Sequence, residues 1–508
     1  MNLDLKICSS ARLSRDPRFD GKFFIGVIGS GVYCRSICPA PTAKEKNCRY
    51  FPTAAAAAEA GFRPCLRCRP ESSPGTPAWQ GTSTTVSRAL RLIAESGLED
   101  GGVEGLAQRL GIGARHLRRL FLRHLGATPL AVAQTRRMHF AKKLIDETAL
   151  PMNQIASAAG FGSVRRFNAG IRSFFHRAPT QMRRLARQKE IQPANHYVFR
   201  LNYRPPYHWQ GMLDFLAVRC TPGVEVVELG RYRRTIRVDG KPGYLELAPD
   251  PERHVLVARI EFGDPRWLFT IVERIRTMFD LNADWISISA TLRADPMLAE
   301  KMAVEPGLRV AGCWDAFELA IRAVLGQQIS VKGATTLAAR LVEKFGQPFG
   351  GARALTRLFP EPAVLADAQL SSVGLTAARA QTIRSLARSV CDGTLSFNGV
   401  VDIDAFVERL CEIPGIGKWT AQYVLMRALG EPDAFPSTDL GLLRAMHSPR
   451  SEELELRSQA WRPWRAYAAM YLWRSAGYQA IPREKSGRRA FQPGRVHDAP
   501  ARQPLPFG

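Results

Sequence analysis

Cys34 and Cys38 form a C-x3-C pair, and Cys65 and Cys68 a C-x2-C pair after a gap of 26 residues. Two such pairs in a short basic stretch give the spacing by which four thiolates close around one tetrahedral Zn²⁺. That constrains the front of the chain strongly, because a segment of about 70 residues buries little apolar surface and depends on such a staple to fold. The second pair lies in FRPCLRCRP, a turn bracketed by Pro and Arg, rather than on the apolar face expected of buried structural thiols. Cys8 and Cys48 fit neither pair and read as ordinary thiols. Ten cysteines in 508 residues is not the density of a disulfide scaffold, and a reducing compartment keeps them as thiols.

A chain of this length holds several domains. With 45% hydrophobic and 23% charged residues it buries several cores, which excludes wholesale disorder. The 71 Lys and Arg stand against 46 Asp and Glu, a net charge of +25. Such an excess calls for a polyanionic partner, nucleic acid first and an anionic membrane second. The charge is uneven: residues 1–190 hold 31 basic and 13 acidic residues, a net of +18, and the remaining 318 hold 40 and 33, a net of +7. No run of about 18 apolar residues exists to span a bilayer, and the first residues lack the apolar core of a signal peptide. A cytoplasmic, nucleoid-associated chain of bacterial type, without a membrane partner, is expected.

Residues 72–85 and 188–196 are polar or rich in Ser, Thr, Pro and Gly, and read as linkers. Between them, residues 86–187 show apolar residues at helical spacing. Residues 197–290 alternate strand-like YVFRLNY, YLELA and HVLVARIEF with an amphipathic helix, Trp267 to Phe279, and the helical period returns from about 314 to 480. The expected domains are 1–72, 86–187, 197–308 and 309–482, followed by a disordered basic tail at 483–508. The fold class is multidomain and mainly α with α+β parts.

FDGKFFIGVIGSGVYCRSICPA followed by GFRPCLRCRP resembles the amino-terminal domain of the Ada methylphosphotriester repair proteins. The resemblance implies Cys34, Cys38, Cys65 and Cys68 as zinc ligands, with Cys34 the acceptor of a methyl group from a methylated DNA phosphate. Zinc keeps such a thiol deprotonated, and the thiolate is the species that attacks carbon. Family members often carry basic residues just after the second Cys, where this chain has Pro39 and Pro41, so Lys44, Lys46 and Arg67 are the candidates for backbone contacts.

Residues 103–126, VEGLAQRLGIGARHLRRLFLRHLG, hold the helix, Gly turn and second helix of a helix-turn-helix, and MNQIASAAGFGSVRRFNAGIRSFFH at 152–176 repeats the plan. This pair of units resembles the AraC-type DNA-binding domain. The resemblance places Arg115 to His124 and Val164 to Phe174 in the major groove, with His116, Arg119, Arg165 and Arg166 as candidate base or phosphate contacts. A solvated charged face is the plainer alternative.

Residues 412–420, EIPGIGKWT, read as a helix-hairpin-helix turn between helices Ala405–Cys411 and Trp419–Leu429. Here Gly415 and Gly417 leave backbone N–H groups open to a phosphate. Asp439 in FPSTDLGLL suits a helix cap, a role compatible with catalysis, since a helix amino terminus favours an ionised carboxylate. From NYRPPYHWQGMLDFLAVR through PGIGKWTAQYVLMRALG to WRPWRAYAAMYLWRSAGY, residues 197–480 resemble the AlkA 3-methyladenine DNA glycosylases of the HhH-GPD superfamily. That resemblance implies an α+β front domain, an all-α glycosylase domain and Asp439 as catalytic residue. It also implies an aromatic cleft of Trp419, Tyr423 and Trp473 that attracts a cationic base by cation–π interaction. Core packing is the plainer reading of those rings. Gln328 stands where an apolar wedge enters the duplex in AlkA. The superfamily's lyase lysine is replaced by Trp419, and no Cys follows Cys411 to complete an iron–sulfur cluster.

The expectation is a fused alkylation-response protein: a stoichiometric methyl acceptor and transcription regulator joined to a monofunctional glycosylase, acting on alkylated and promoter DNA, with RNA polymerase as a further partner. The alternative is a regulator whose carboxy-terminal half binds damaged DNA without cleaving it.

Overall fold

The computed structural model describes residues 3–75, 84–96, 98, 101–185, 193–352, 354–400, 402–447 and 450–475. The expected tail at 483–508 and parts of both linkers lie outside the described residues.

The front module is a small sheet ordered Cys48–Phe51, Phe24–Val27, Val32–Cys34, Arg63–Pro64, antiparallel except for the last pair. Its last pair delivers the cysteines: Cys34 ends one strand, and the Cys65 N–H donates to the Tyr33 carbonyl at 3.0 Å just beyond the other. The alanine run forms the helix Ala54–Glu59, capped by Thr53 Oγ1. Its side chains are small enough for close packing: a Cβ on Gly126 would meet the Ala56 Cβ at 3.1 Å.

Helices Gly102–Arg109 and Ala114–Leu125, then Met152–Ala158 and Val164–Phe175, are the two helix-turn-helix units, joined by the long helix Pro129–Glu147. Each turn uses a left-handed glycine, Gly111 at φ 66° and Gly160 at φ 73°, where a side chain is disfavoured. Leu117, Phe121 and Leu125 on one second helix and Phe167, Ile171 and Phe175 on the other are buried at a spacing of four residues, which turns their arginines outward.

Residues 196–262 form a five-stranded antiparallel sheet in the order His196–Asn202, Val255–Phe262, Lys241–Asp250, Arg231–Val238, Glu225–Glu228. The expected helix Trp267–Phe279 spans Leu268–Met278. The last domain is not purely helical. Pro348–Ala352 and Leu355–Arg357 form a hairpin, and the Thr356 N–H donates to the Gly223 carbonyl beside the sheet at 2.8 Å. The 308/309 border runs through packed residues: Trp461 Nε1 donates to Asp295 at 2.9 Å, and the Tyr471 hydroxyl to the Glu305 carbonyl at 2.9 Å. Among the described residues no helix is long and apolar enough to cross a membrane.

Candidate functional site

The sulfur atoms of Cys34, Cys38, Cys65 and Cys68 lie within 4.8 Å of one another, and all four are free thiols. Zn–S bonds of about 2.3 Å define a tetrahedron with edges of about 3.8 Å, and four sulfurs gathered this closely suit such an ion. Cys38 is half-exposed and the other three are buried. Arg35 lies directly beneath. Its N–H donates to Cys68 Sγ at 3.4 Å, its Nη1 to the Cys68 carbonyl at 3.0 Å, and its Nε to Asp20 Oδ1 at 2.7 Å. Arg35 and Asp20 are 5% and 3% exposed, a buried ion pair that spacing alone did not reveal.

His116, Arg119, Arg165 and Arg166 are all exposed on the second helices of their units. Arg119 Nη2 lies 2.9 Å from His116 Nδ1, so the two side chains are in contact. Lys44, Lys46 and Arg67 are also exposed.

In the third site the two hairpin glycines separate by cause. Gly415, at φ 90°, has no room for a side chain, since a Cβ would meet Thr382 Oγ1 at 2.2 Å; Gly417 has nothing within 4 Å. Only Gly417 is left small with open space around it. Thr382 Oγ1 donates to the Pro414 carbonyl at 2.8 Å, and Gln327 Nε2 to the Gly415 carbonyl at 2.8 Å and Thr420 Oγ1 at 3.0 Å. The neighbouring Gln328 is exposed and left-handed at φ 58°. Gln327 thus ties the loop that presents Gln328 to the hairpin, a role hidden in the sequence because both residues are Gln.

Asp439 caps the helix Leu440–Ala445 through Oδ1, which accepts from the Gly441 N–H at 2.8 Å and the Leu442 N–H at 3.1 Å. Trp473 Nε1 donates to the same oxygen at 2.8 Å, and Trp419 Nε1 to Oδ2 at 2.8 Å. Tyr423 stacks on Trp419, with centroids 5.4 Å apart and planes 14° apart, and meets Trp473 edge-on at 6.1 Å. The carboxylate and all three expected aromatics are therefore one cluster. Phe215 joins it, 6.2 Å from Trp473. The cluster already holds cations. Arg427 lies 5.4 Å from the Tyr423 centroid and 4.9 Å from that of Phe215, and Arg219 lies 3.8 Å from Phe215. Burial pushes the Tyr423 phenol up, but Arg427 and Arg219 outweigh it and hold it below its ordinary value. Asp433, the nearest alternative carboxylate in sequence, is committed to Arg465 at 2.8 Å and 3.1 Å.

Across 496 residues the chain is 40% identical to the "Probable bifunctional transcriptional activator/DNA repair enzyme AlkA" of Mycobacterium tuberculosis, covering 96% of this chain and 100% of that protein. The chain belongs to this family. Four family descriptions match along it in order: "Metal binding domain of Ada" at 7–71, "Helix-turn-helix domain" at 106–185, "AlkA N-terminal domain" at 198–315, and "HhH-GPD superfamily base excision DNA repair protein" at 321–465. "DNA-3-methyladenine glycosylase 2" of Escherichia coli is 32% identical over 285 residues, 56% of this chain and 99% of that protein. The "Bifunctional transcriptional activator/DNA repair enzyme Ada" of the same organism is 37% identical over 125 residues, 25% of this chain and 34% of that protein. This bifunctional activator and repair family therefore joins an Ada-type zinc module, a helix-turn-helix module and a DNA glycosylase domain in one chain, with DNA as the common partner. Zinc is the ion that fits the four-thiol donor set.

Proposed function

We propose that Cys34 accepts methyl groups from DNA methylphosphotriesters, while Asp439 serves hydrolysis of the N-glycosidic bond of alkylated bases of the 3-methyladenine type. Bound zinc supplies the charge that keeps the four sulfurs as thiolates. In the first reaction the Cys34 sulfur forms a bond to the methyl carbon, the carbon–oxygen bond breaks, and the phosphodiester leaves as its anion. The site's net charge goes from about −2 to −1 as a thiolate becomes a thioether, which lessens repulsion of DNA phosphate and switches promoter binding through His116, Arg119, Arg165 and Arg166. RNA polymerase is the partner of that switched state, in the cytoplasm at the nucleoid.

In the second reaction Asp439 stabilises the positive charge that develops on the deoxyribose as the base departs, and water adds at the sugar carbon. Trp419 occupies the place of the superfamily's lyase lysine, so the enzyme is monofunctional and leaves the strand intact. Gln328 fills the emptied duplex position, and Gly417 brings backbone N–H groups to the phosphates. The observation that carries this reading is the convergence of Trp419 and Trp473 on the two oxygens of Asp439, each at 2.8 Å.

Incubating the full chain with methylated duplex DNA, and assaying free bases and protein-bound methyl in one sample, tests both halves. Methyl on Cys34 and released 3-methyladenine are expected together. Methyl uptake without base release leaves a regulator alone.

A further inference from the structure

We propose that Trp419 and Trp473 are positioning residues for the Asp439 carboxylate, with Gly441 the residue that permits their approach. This deepens the reading of Asp439 as the catalytic residue and rests on it.

A helix cap holds a carboxylate by one oxygen. Here the cap uses Oδ1, through Gly441 and Leu442, which leaves the tilt of the group unset. The two indoles set it: Trp473 adds a third donor to Oδ1, and Trp419 donates to Oδ2. They come from separate helices, Lys418–Arg427 and Arg465–Ser475, so the carboxylate is fixed from two sides. An indole N–H only donates, so each ring holds one carboxylate oxygen in the direction of its own N–H.

Burial separates this role from base stacking. Trp473 is 2% exposed and offers an incoming base no open face. One face of Trp419 is taken by Tyr423. What these rings present to the reaction is the direction of their N–H groups, and their packing locks that direction. Gly441 completes the arrangement. A Cβ there would lie 3.0 Å from Asp439 Oδ1 and 3.2 Å from Trp473 Cδ1, so a methyl group would push indole and carboxylate apart.

The test is base release from methylated duplex DNA by the full chain, followed at steady state so that kcat and KM are read separately. Trp419→Phe, Trp473→Phe and Gly441→Ala are each made alone and in an Asp439→Asn background. Phe keeps the aromatic face and removes the N–H. In the Asp439 background each change should lower kcat by about 10- to 100-fold, the scale of one charge-assisted hydrogen bond, with KM within about twofold. In the Asn background the same changes should cost less than about threefold, because groups that act through one residue are not additive. Raised KM at unchanged kcat would assign the rings to stacking, and equal losses in both backgrounds would give them an independent role; either result overturns the proposal. Wild-type release by Asp439→Asn alone would instead remove the catalytic assignment beneath it, a result read in a separate variant. Should Trp473→Phe fail to fold, as circular dichroism would show, the half-exposed Trp419 and the Gly441 variant carry the same comparison.

Discussion

Arg204 Nε donates to the Asp20 carbonyl at 2.8 Å, so a residue of the sheet domain closes on the same aspartate whose carboxylate holds Arg35 beneath the cysteines. Arg204 also donates to the carbonyls of Asn282 at 2.7 Å and Gly75 at 2.6 Å, and Lys22 pairs with Asp284 at 2.8 Å beside it. Arg204 is 1% exposed, and burial lowers its guanidinium to about 10. The zinc module is therefore docked on the glycosylase half by a buried cation that bonds backbone from both.

Replacing that cation should loosen the dock. Arg204→Met fills the volume but leaves several buried carbonyls without donors, each worth about 1–3 kcal/mol. A loss of about 2–4 kcal/mol is expected, seen as a lower unfolding midpoint and earlier proteolytic release of the front module. Replacing the exposed Arg253 should change neither. An unaltered midpoint in Arg204→Met would mean that the two parts do not hold each other in solution.

His139 makes the neighbouring seam sensitive to acid. It is half-buried, its Nε2 lies 2.9 Å from the Tyr33 hydroxyl, and desolvation lowers it to about 4, with Glu71 opposing and Lys142 assisting. Below its ordinary value near 6.5 the unfolded chain binds a proton that the folded chain refuses. Stability from this residue is thus complete above pH 6.5 and falls as pH drops from 6.5 to 4, by up to about 3 kcal/mol. Unfolding midpoints measured across that range should show this slope, and His139→Gln should flatten it. An equal slope in the variant would place the acid sensitivity elsewhere.

How much of this was legible in advance depended on how local each signal is. The thiol pairs, both helix-turn-helix units and the Asp439 cap are set by neighbours in sequence, and the structure brings the four cysteines and the Asp439 aromatics together. What stayed hidden was long-range: the Arg35–Asp20 pair, the bond from Gln327 to the hairpin, and Arg204. Such links depend on tertiary placement, and an arginine bonded to carbonyls leaves no partner residue type to look for. The same limit explains the Pro348–Arg357 hairpin inside a domain expected to be all helix, since its two strands pair only locally and lean on a distant sheet. It also explains the ring of Tyr423, expected to await a cationic base but already facing Arg427, and the unforeseen Phe215 beside it, which faces Arg427 and Arg219.

Metal content tests the front site directly. The purified chain should hold a single zinc ion, and Cys65→Ser or Cys68→Ser should lose it and unfold the first 70 or so residues, because metal binding is folding energy in a module this small. Cys34→Ser should abolish methyl uptake, and mass spectrometry should place the methyl on Cys34 in the parent chain. Methyl on another cysteine overturns that assignment.

Salt dependence tests the helix-turn-helix units. If Arg165 and Arg166 each neutralise one phosphate, replacing both by Ala should reduce the slope of log affinity against log salt by about 2. A slope equal to that of the parent would mean that these exposed side chains face solvent in the complex.

Asp439→Asn tests the enzyme against the regulator alternative. Asn keeps the volume and an oxygen for the Gly441 and Leu442 N–H groups, so the helix cap and the fold should survive. The negative charge beside the reacting sugar is lost, and the Asn amide nitrogen cannot accept the Trp419 N–H. Removing one well-placed electrostatic stabiliser costs on the order of 10²–10³ in rate, and base release should slow by at least that much while methyl uptake on Cys34 continues unchanged. Asp433 is no substitute, since Arg465 and Arg462 already engage both of its oxygens. Undiminished release by the variant would therefore move catalysis off the aspartates of this cluster altogether, and failure of the parent chain to release 3-methyladenine would leave the carboxy-terminal half as a damage-binding domain.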